Sequence, residues 1–134
     1  MFTHQSFVRV RYSETDRMGY CYYGNYAQFF EIGRVEALRE LGFPYKELED
    51  QGILLPVLDY SIKYIAPAHY DDHLKIVTLI KEVPNTRFHF EYEVYNQHAQ
   101  KITIGTTTLV FIDAKSKRPI KCPKDLQEKL NKYI

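Results

Sequence analysis

The sequence has no tryptophan, only two cysteines, and no apolar run near the ~20 residues of a membrane span. Cys21 and Cys122 lie far apart and in no Cys-x-x-Cys pattern, which excludes a disulfide framework and a cysteine zinc site. Met1 to Phe7 has no apolar signal core. A surplus of one charge is missing too: 18 Lys+Arg stand against 17 Asp+Glu, a formal net charge of +1 at pH 7. That balance argues against a nucleic-acid partner, which calls for a basic excess or stripe. With no repeat, low-complexity tract or linker, residues 1–134 are expected to form a single domain. The expectation is a cytoplasmic domain that does not insert into membranes.

What is present is aromatic. Twelve Tyr and eight Phe favour strands and half-buried surfaces. Hydrophobic residues at 45% can build a core without staples. Phe7 to Tyr12 alternates and reads as an opening strand. Tyr26, Phe29, Phe30, Gly33, Ala37, Leu38 and Leu41 then recur at helical spacing, with Asn25 as N-cap and Gly42 beyond the end. Gly33 sits on the apolar stripe, where close approach of a sheet would justify it. Pro44 to Asp50 predicts a short second helix stopped by Gly52. From Ile53 the period changes to two, through Val57–Ile65, Leu74–Val83, Phe88–Tyr95 and Lys101–Ile112, with turns at Pro84-Asn85 and Asn96-Gln97-His98. A terminal helix follows Pro123, with Leu126 and Leu130 as its stripe. Strands joined this tightly must be antiparallel, and one long helix against one such sheet is an α+β architecture.

Asp16 leaves the first strand shortly before the long helix. A helix N-terminus gathers unpaired N–H groups and partial positive charge, so it can stabilise an oxyanion. A carboxylate beside it can act as nucleophile or general base, or can simply be a turn residue bonding its own backbone. His69-x-x-x-His73 around Asp71-Asp72 lacks the helical context of a metal motif; Asp72 is expected to fix a turn, and no metal is expected. Glu31 and Arg34, three apart on the helix, can pair locally, with Glu31 on the face near the proposed site. Tyr20, Tyr22, Tyr23 and Tyr26 can stack on a ligand or fill a core and a subunit interface. Cys21 reads as a small buried hydrophobe. Lys115, Lys117, Arg118, Lys121 and Lys124 form the only basic concentration, which reads as solvated surface or as a phosphate contact.

The pattern Asp16-x-x-Gly19-x-x-Tyr22-Tyr23-x-x-Tyr26, followed by Glu31-x-x-Arg34, resembles the signature of the 4-hydroxybenzoyl-CoA thioesterase family. These are hotdog-fold acyl-CoA thioesterases, including the short-chain enzymes associated with the Tol-Pal operon. The resemblance continues through Tyr64-Ile65-Ala66-Pro67-Ala68-His69-Tyr70-Asp71-Asp72-x-Leu74 and spans roughly Phe7 to Asp113. It implies a long central helix packed on a curved antiparallel sheet, an acyl-CoA substrate, no cofactor, and a homodimer or dimer of dimers. It makes Asp16 the catalytic carboxylate and the backbone N–H of Tyr23 the group that polarises the thioester carbonyl. Gly19, Tyr22 and Tyr26 become candidate substrate contacts, and Asn85, Thr86 and Arg87 candidate contacts to the coenzyme A arm. Many relatives carry His where this sequence has Tyr23; the N–H survives that change, an imidazole role does not. A non-catalytic acyl-CoA-binding module is the alternative. A hotdog dehydratase fits less well, because no His lies between Phe7 and Tyr64.

Overall fold

Alternating apolar residues become strands when one face is covered, and here a single long helix does the covering. The structure, a computed structural model, describes residues 1–134. Its strands are β1 (Phe2–Arg9), β2 (Ile53–Leu54), β3 (Val57–Tyr64), β4 (His73–Ile80), β5 (Arg87–Tyr95), β6 (Lys101–Val110) and β7 (Ile112–Asp113). Its helices are α1 (Tyr26–Glu40), α2 (Tyr45–Asp50) and α3 (Lys124–Asn131), with single 3-10 turns at Tyr12–Glu14 and Tyr23–Asn25. The main sheet has the order β1-β4-β5-β6-β3, every neighbouring pair antiparallel, while β2 and β7 form a separate small pair. No helix is long and apolar enough to cross a membrane.

The covered face of the sheet is aromatic. Phe88, Phe90, Tyr92 and Val94 alternate inward along β5 and are buried. Phe30 of α1 stacks on Tyr92 with centroids 4.4 Å apart, and the buried Tyr92 hydroxyl bonds Thr107 Oγ1 at 2.6 Å. Each such ring removed from water contributes about 1.5–3 kcal/mol. Gly33 lets the helix down onto this surface: a Cβ there would lie 2.5 Å from Thr78 Oγ1 and 3.0 Å from Ile76 Cγ2. The close approach expected of Gly33 is therefore present.

The first strand differs from expectation. It is β1 at Phe2–Arg9 rather than Phe7–Tyr12, because its register with β4 runs from Phe2 opposite Ile80 to Arg9 opposite His73 and ends with β4. Tyr12 falls in a 3-10 turn instead. Asn25 also departs from expectation. Its backbone is helical and its side chain makes no cap bond; its Nδ2 donates instead to the carbonyl of Glu14 at 2.8 Å. Strand β3 is one free edge of the sheet, and Val57, Leu58, Tyr60 and Tyr64 on it remain exposed.

Candidate active site

Asp16 is held by its own turn. Its Oδ1 accepts the Met18 N–H at 2.9 Å, its carbonyl accepts the Gly19 N–H at 3.0 Å, and its N–H bonds the Tyr20 carbonyl at 3.0 Å. Gly19 closes the turn at φ +87°, a left-handed conformation that favours glycine. The turn role foreseen for Asp16 is thus real and uses one carboxylate oxygen. Oδ2 has no partner, and Asp16 lines a cavity of about 530 Å³.

That cavity is mostly apolar. Met18, Tyr20, Cys21, Tyr23 and Tyr26 line it from the Asp16 loop and the start of α1. Tyr64 and the following Ile65, Ala66 and Pro67 close the other wall. Three of the four clustered tyrosines therefore face the cavity. Tyr22 does not; its ring packs against that of Tyr23, centroids 4.7 Å apart. Gly19 shapes the turn without lining the cavity. Cys21 is 3% exposed, as a buried hydrophobe should be, yet it also touches the cavity. Burial pushes its thiol up to about 11, so it stays protonated near neutrality. Burial likewise pushes the Tyr26 phenol up to about 12.

The 3-10 turn at the head of α1 presents free donors. The Asn25 N–H bonds the Tyr22 carbonyl and the Tyr26 N–H bonds the Tyr23 carbonyl. The N–H groups of Tyr23 and Gly24 have no acceptor within the chain. Unpaired N–H groups at a helix head carry partial positive charge; of these two residues Tyr23 lines the Asp16 cavity and Gly24 does not.

The Asp16 loop and this turn are clamped together. The Glu14 carbonyl accepts both the Tyr22 N–H at 2.8 Å and Asn25 Nδ2 at 2.8 Å. The buried Glu14 carboxylate accepts the Arg11 N–H at 2.8 Å and Arg11 Nη2 at 3.1 Å. Glu14 and the Tyr64–Pro67 segment were assigned no site role from sequence, and Asn25 only a capping one. Tyr64 to Pro67 lay within the second family-like stretch, which was the only signal for them.

Asn85, Thr86 and Arg87 are not brought to this cavity. They form the connection into β5, at the end of the sheet opposite β1's exit toward Asp16. The basic segment shares that far end: the Cys122 N–H bonds the Asn85 carbonyl at 2.7 Å, and the Phe111 N–H bonds the Thr86 carbonyl at 3.0 Å. Glu31 and Arg34 also lie outside the cavity, contrary to the expectation for Glu31. Arg34 is buried with its Nη2 4.0 Å from the exposed Glu31 carboxylate, and its charge acts on Tyr45 and Tyr92. Asp72 fixes its turn as expected, its Oδ2 accepting the His69 N–H at 2.8 Å and its Oδ1 accepting from Gln97 Nε2 at 2.9 Å.

A long helix laid on a five-stranded antiparallel sheet, with an apolar cavity at the helix head, has the architecture of a hotdog protein of the thioesterase class. The chain belongs to the thioesterase-like superfamily, whose sequence pattern matches residues 10–130. It is 34% identical over 113 residues to the putative acyl-CoA thioesterase YneP of Bacillus subtilis, covering 84% of this chain and 82% of that protein. It is 30% identical over 119 residues to the acyl-CoA thioester hydrolase YbgC of Escherichia coli O157:H7, covering 89% of each. Among solved structures it resembles a DHNA-CoA thioesterase from Staphylococcus aureus, with TM-score 0.94 and 33% identity, covering 99% of this chain and 91% of that one.

Proposed function

We propose that this protein hydrolyses the thioester of an acyl-CoA to the free acid and coenzyme A, with Asp16 as nucleophile or general base and the Tyr23 N–H as oxyanion donor. One observation carries this reading. The carboxylate with an unpartnered Oδ2 and the residue with an acceptor-free N–H line the same apolar cavity. The relatives named as acyl-CoA thioesterases point to the same substrate class. Thioester chemistry suits so sparse a site. The leaving thiol has a reference pKa near ~8.5, so it departs as thiolate without a positioned acid. Asp16 either attacks the carbonyl carbon, giving a mixed anhydride that water opens, or takes a proton from an attacking water. In both cases charge develops on the carbonyl oxygen, where amide donors are most effective in a water-poor cavity.

The acyl group belongs in the cavity. Rings of Tyr20, Tyr23, Tyr26 and Tyr64 around it suit a planar aromatic or unsaturated acyl chain through offset and edge contacts. The coenzyme arm belongs with a second copy. Pairing β3 with its own copy about a two-fold axis makes the two strands antiparallel, so the Val57 end of one meets the Tyr64 end of the other. Val57 lies opposite Leu109 and Arg87 opposite Val110, so the partner's Asn85–Arg87 connection and basic segment would approach this chain's cavity. The site is then shared across a homodimer, the building block of any dimer of dimers.

The test is free-thiol release from a panel of short, branched, long and aromatic acyl-CoAs. Turnover on at least one member, highest for an aromatic acid, is the expected result. Saturable binding with no thiol release across the panel would overturn the reading in favour of a non-catalytic acyl-CoA-binding module.

A further inference from the structure

We infer that Tyr64 is a positioning residue that fixes the turn at the head of α1 carrying the Tyr23 N–H oxyanion donor, an inference that rests on the hydrolase reading above. The Tyr64 hydroxyl donates to the Tyr23 carbonyl at 3.2 Å. That carbonyl already accepts the Tyr26 N–H, so it is held from two directions. The Tyr23 carbonyl and the Gly24 N–H belong to one planar peptide unit, so fixing the first fixes the second. The same turn carries the Tyr23 N–H one peptide earlier, and both N–H groups are free.

The Glu14 carbonyl holds the two flanks of this turn, at the Tyr22 N–H and Asn25 Nδ2, but not the peptide between Tyr23 and Gly24. The Tyr23 side chain is 64% exposed, and Gly24 has no side chain to pack. The orientation of that peptide is therefore set by backbone bonds, the flanking Asn25–Glu14 bond and the Tyr64 hydroxyl. Tyr64 is itself anchored, edge-on against Tyr26 with centroids 5.2 Å apart and planes at 77°, and Tyr26 is buried in the core. Burial and the neighbouring Tyr23 and Cys21 raise the Tyr64 phenol, which keeps it a hydrogen-bond donor throughout the neutral range. Preorganised donors outperform mobile ones because no reorganisation is left for the moment of reaction. Tyr64 also ends the free edge strand β3, so the strand that meets a second copy reaches the catalytic turn through one hydrogen bond.

Tyr64→Phe removes the hydroxyl and keeps the ring against Tyr26. Loss of a whole oxyanion donor costs about 10²–10³-fold in kcat, so misaiming donors that remain should cost less, roughly 5–50-fold, with KM nearly unchanged. A merely structural role would not give that division. The decisive reading is the carbonyl stretch of a bound acyl-CoA analogue in which CH2 replaces the thioester sulfur, measured by difference infrared spectroscopy. Wild type should shift the stretch to lower frequency than the free analogue, and Tyr64→Phe should reduce that shift while binding the analogue about as tightly. An equal shift in both proteins, or a raised KM with unchanged kcat, overturns the inference and leaves the hydrolase reading intact. No shift in wild type overturns the donor assignment itself and the inference with it.

Discussion

The two oxygens of Asp16 differ: Oδ1 holds the Met18 N–H and with it the turn, while Oδ2 has no partner and is the atom the proposed chemistry would use. Asparagine at this position keeps an acceptor for the turn and removes the anion, which separates the two roles. Cys21 shows the opposite case, a reactive group kept inert. Burial raises its thiol from 9.0 to about 11, and that of Cys122 to about 12. In the unfolded chain both thiols lose protons near the ordinary value, whereas the native state retains them. The unfolded state therefore binds fewer protons above about pH 9, and stability falls as pH rises through that range. Thermal midpoints of wild type should decline from about pH 8 to about pH 10, and less steeply in the Cys21→Ala/Cys122→Ala variant. Equal slopes would show that the thiols do not contribute. At this scale the family-like spacing singled out Asp16 and Tyr23, which the fold brings to one cavity. The Glu14 carbonyl and Asn25 were not, because a side chain bonding a carbonyl eleven residues away leaves no local pattern.

Helix α1 and the sheet meet where side chains are absent or flat. Gly33→Ala should gain about 1 kcal/mol of helix propensity but lose about 1–3 kcal/mol to overpacking against Thr78 and Ile76. The expected net is destabilisation of about 1 kcal/mol, read from denaturant midpoints. Adding Thr78→Ala to that variant should restore part of the loss, since the Thr78 hydroxyl is the nearest obstacle and has no hydrogen-bond partner. A more stable Gly33→Ala protein would contradict the close packing. The long helix and strands β3 to β6 were legible because each keeps one period for two turns or more. Strand β1 was placed too late because Thr3, His4, Gln5 and Ser6 lack apolar alternation; cross-strand pairing with β4 defines it. That pairing joins residues some seventy apart, which no local periodicity records.

The whole molecule is asymmetric in its finish. β1 and β3 are both edges, but β3 exposes Val57, Leu58, Tyr60 and Tyr64. Long apolar edges invite pairing with another chain. Wild type should sediment as a dimer or larger at micromolar concentration. Leu58→Lys, which places a charge on that edge, should yield monomers with at least about tenfold lower activity if the site is shared. A fully active monomer would refute the shared site. The measurement that reaches the central claim is kcat and KM of Asp16→Asn on the best acyl-CoA of the panel, with thermal stability measured alongside. The predicted result is a loss of about 10²–10⁴-fold in kcat, little change in KM and a near-native thermal midpoint. A folded Asp16→Asn enzyme that keeps kcat within about threefold of wild type would contradict the assignment of the chemistry to this carboxylate.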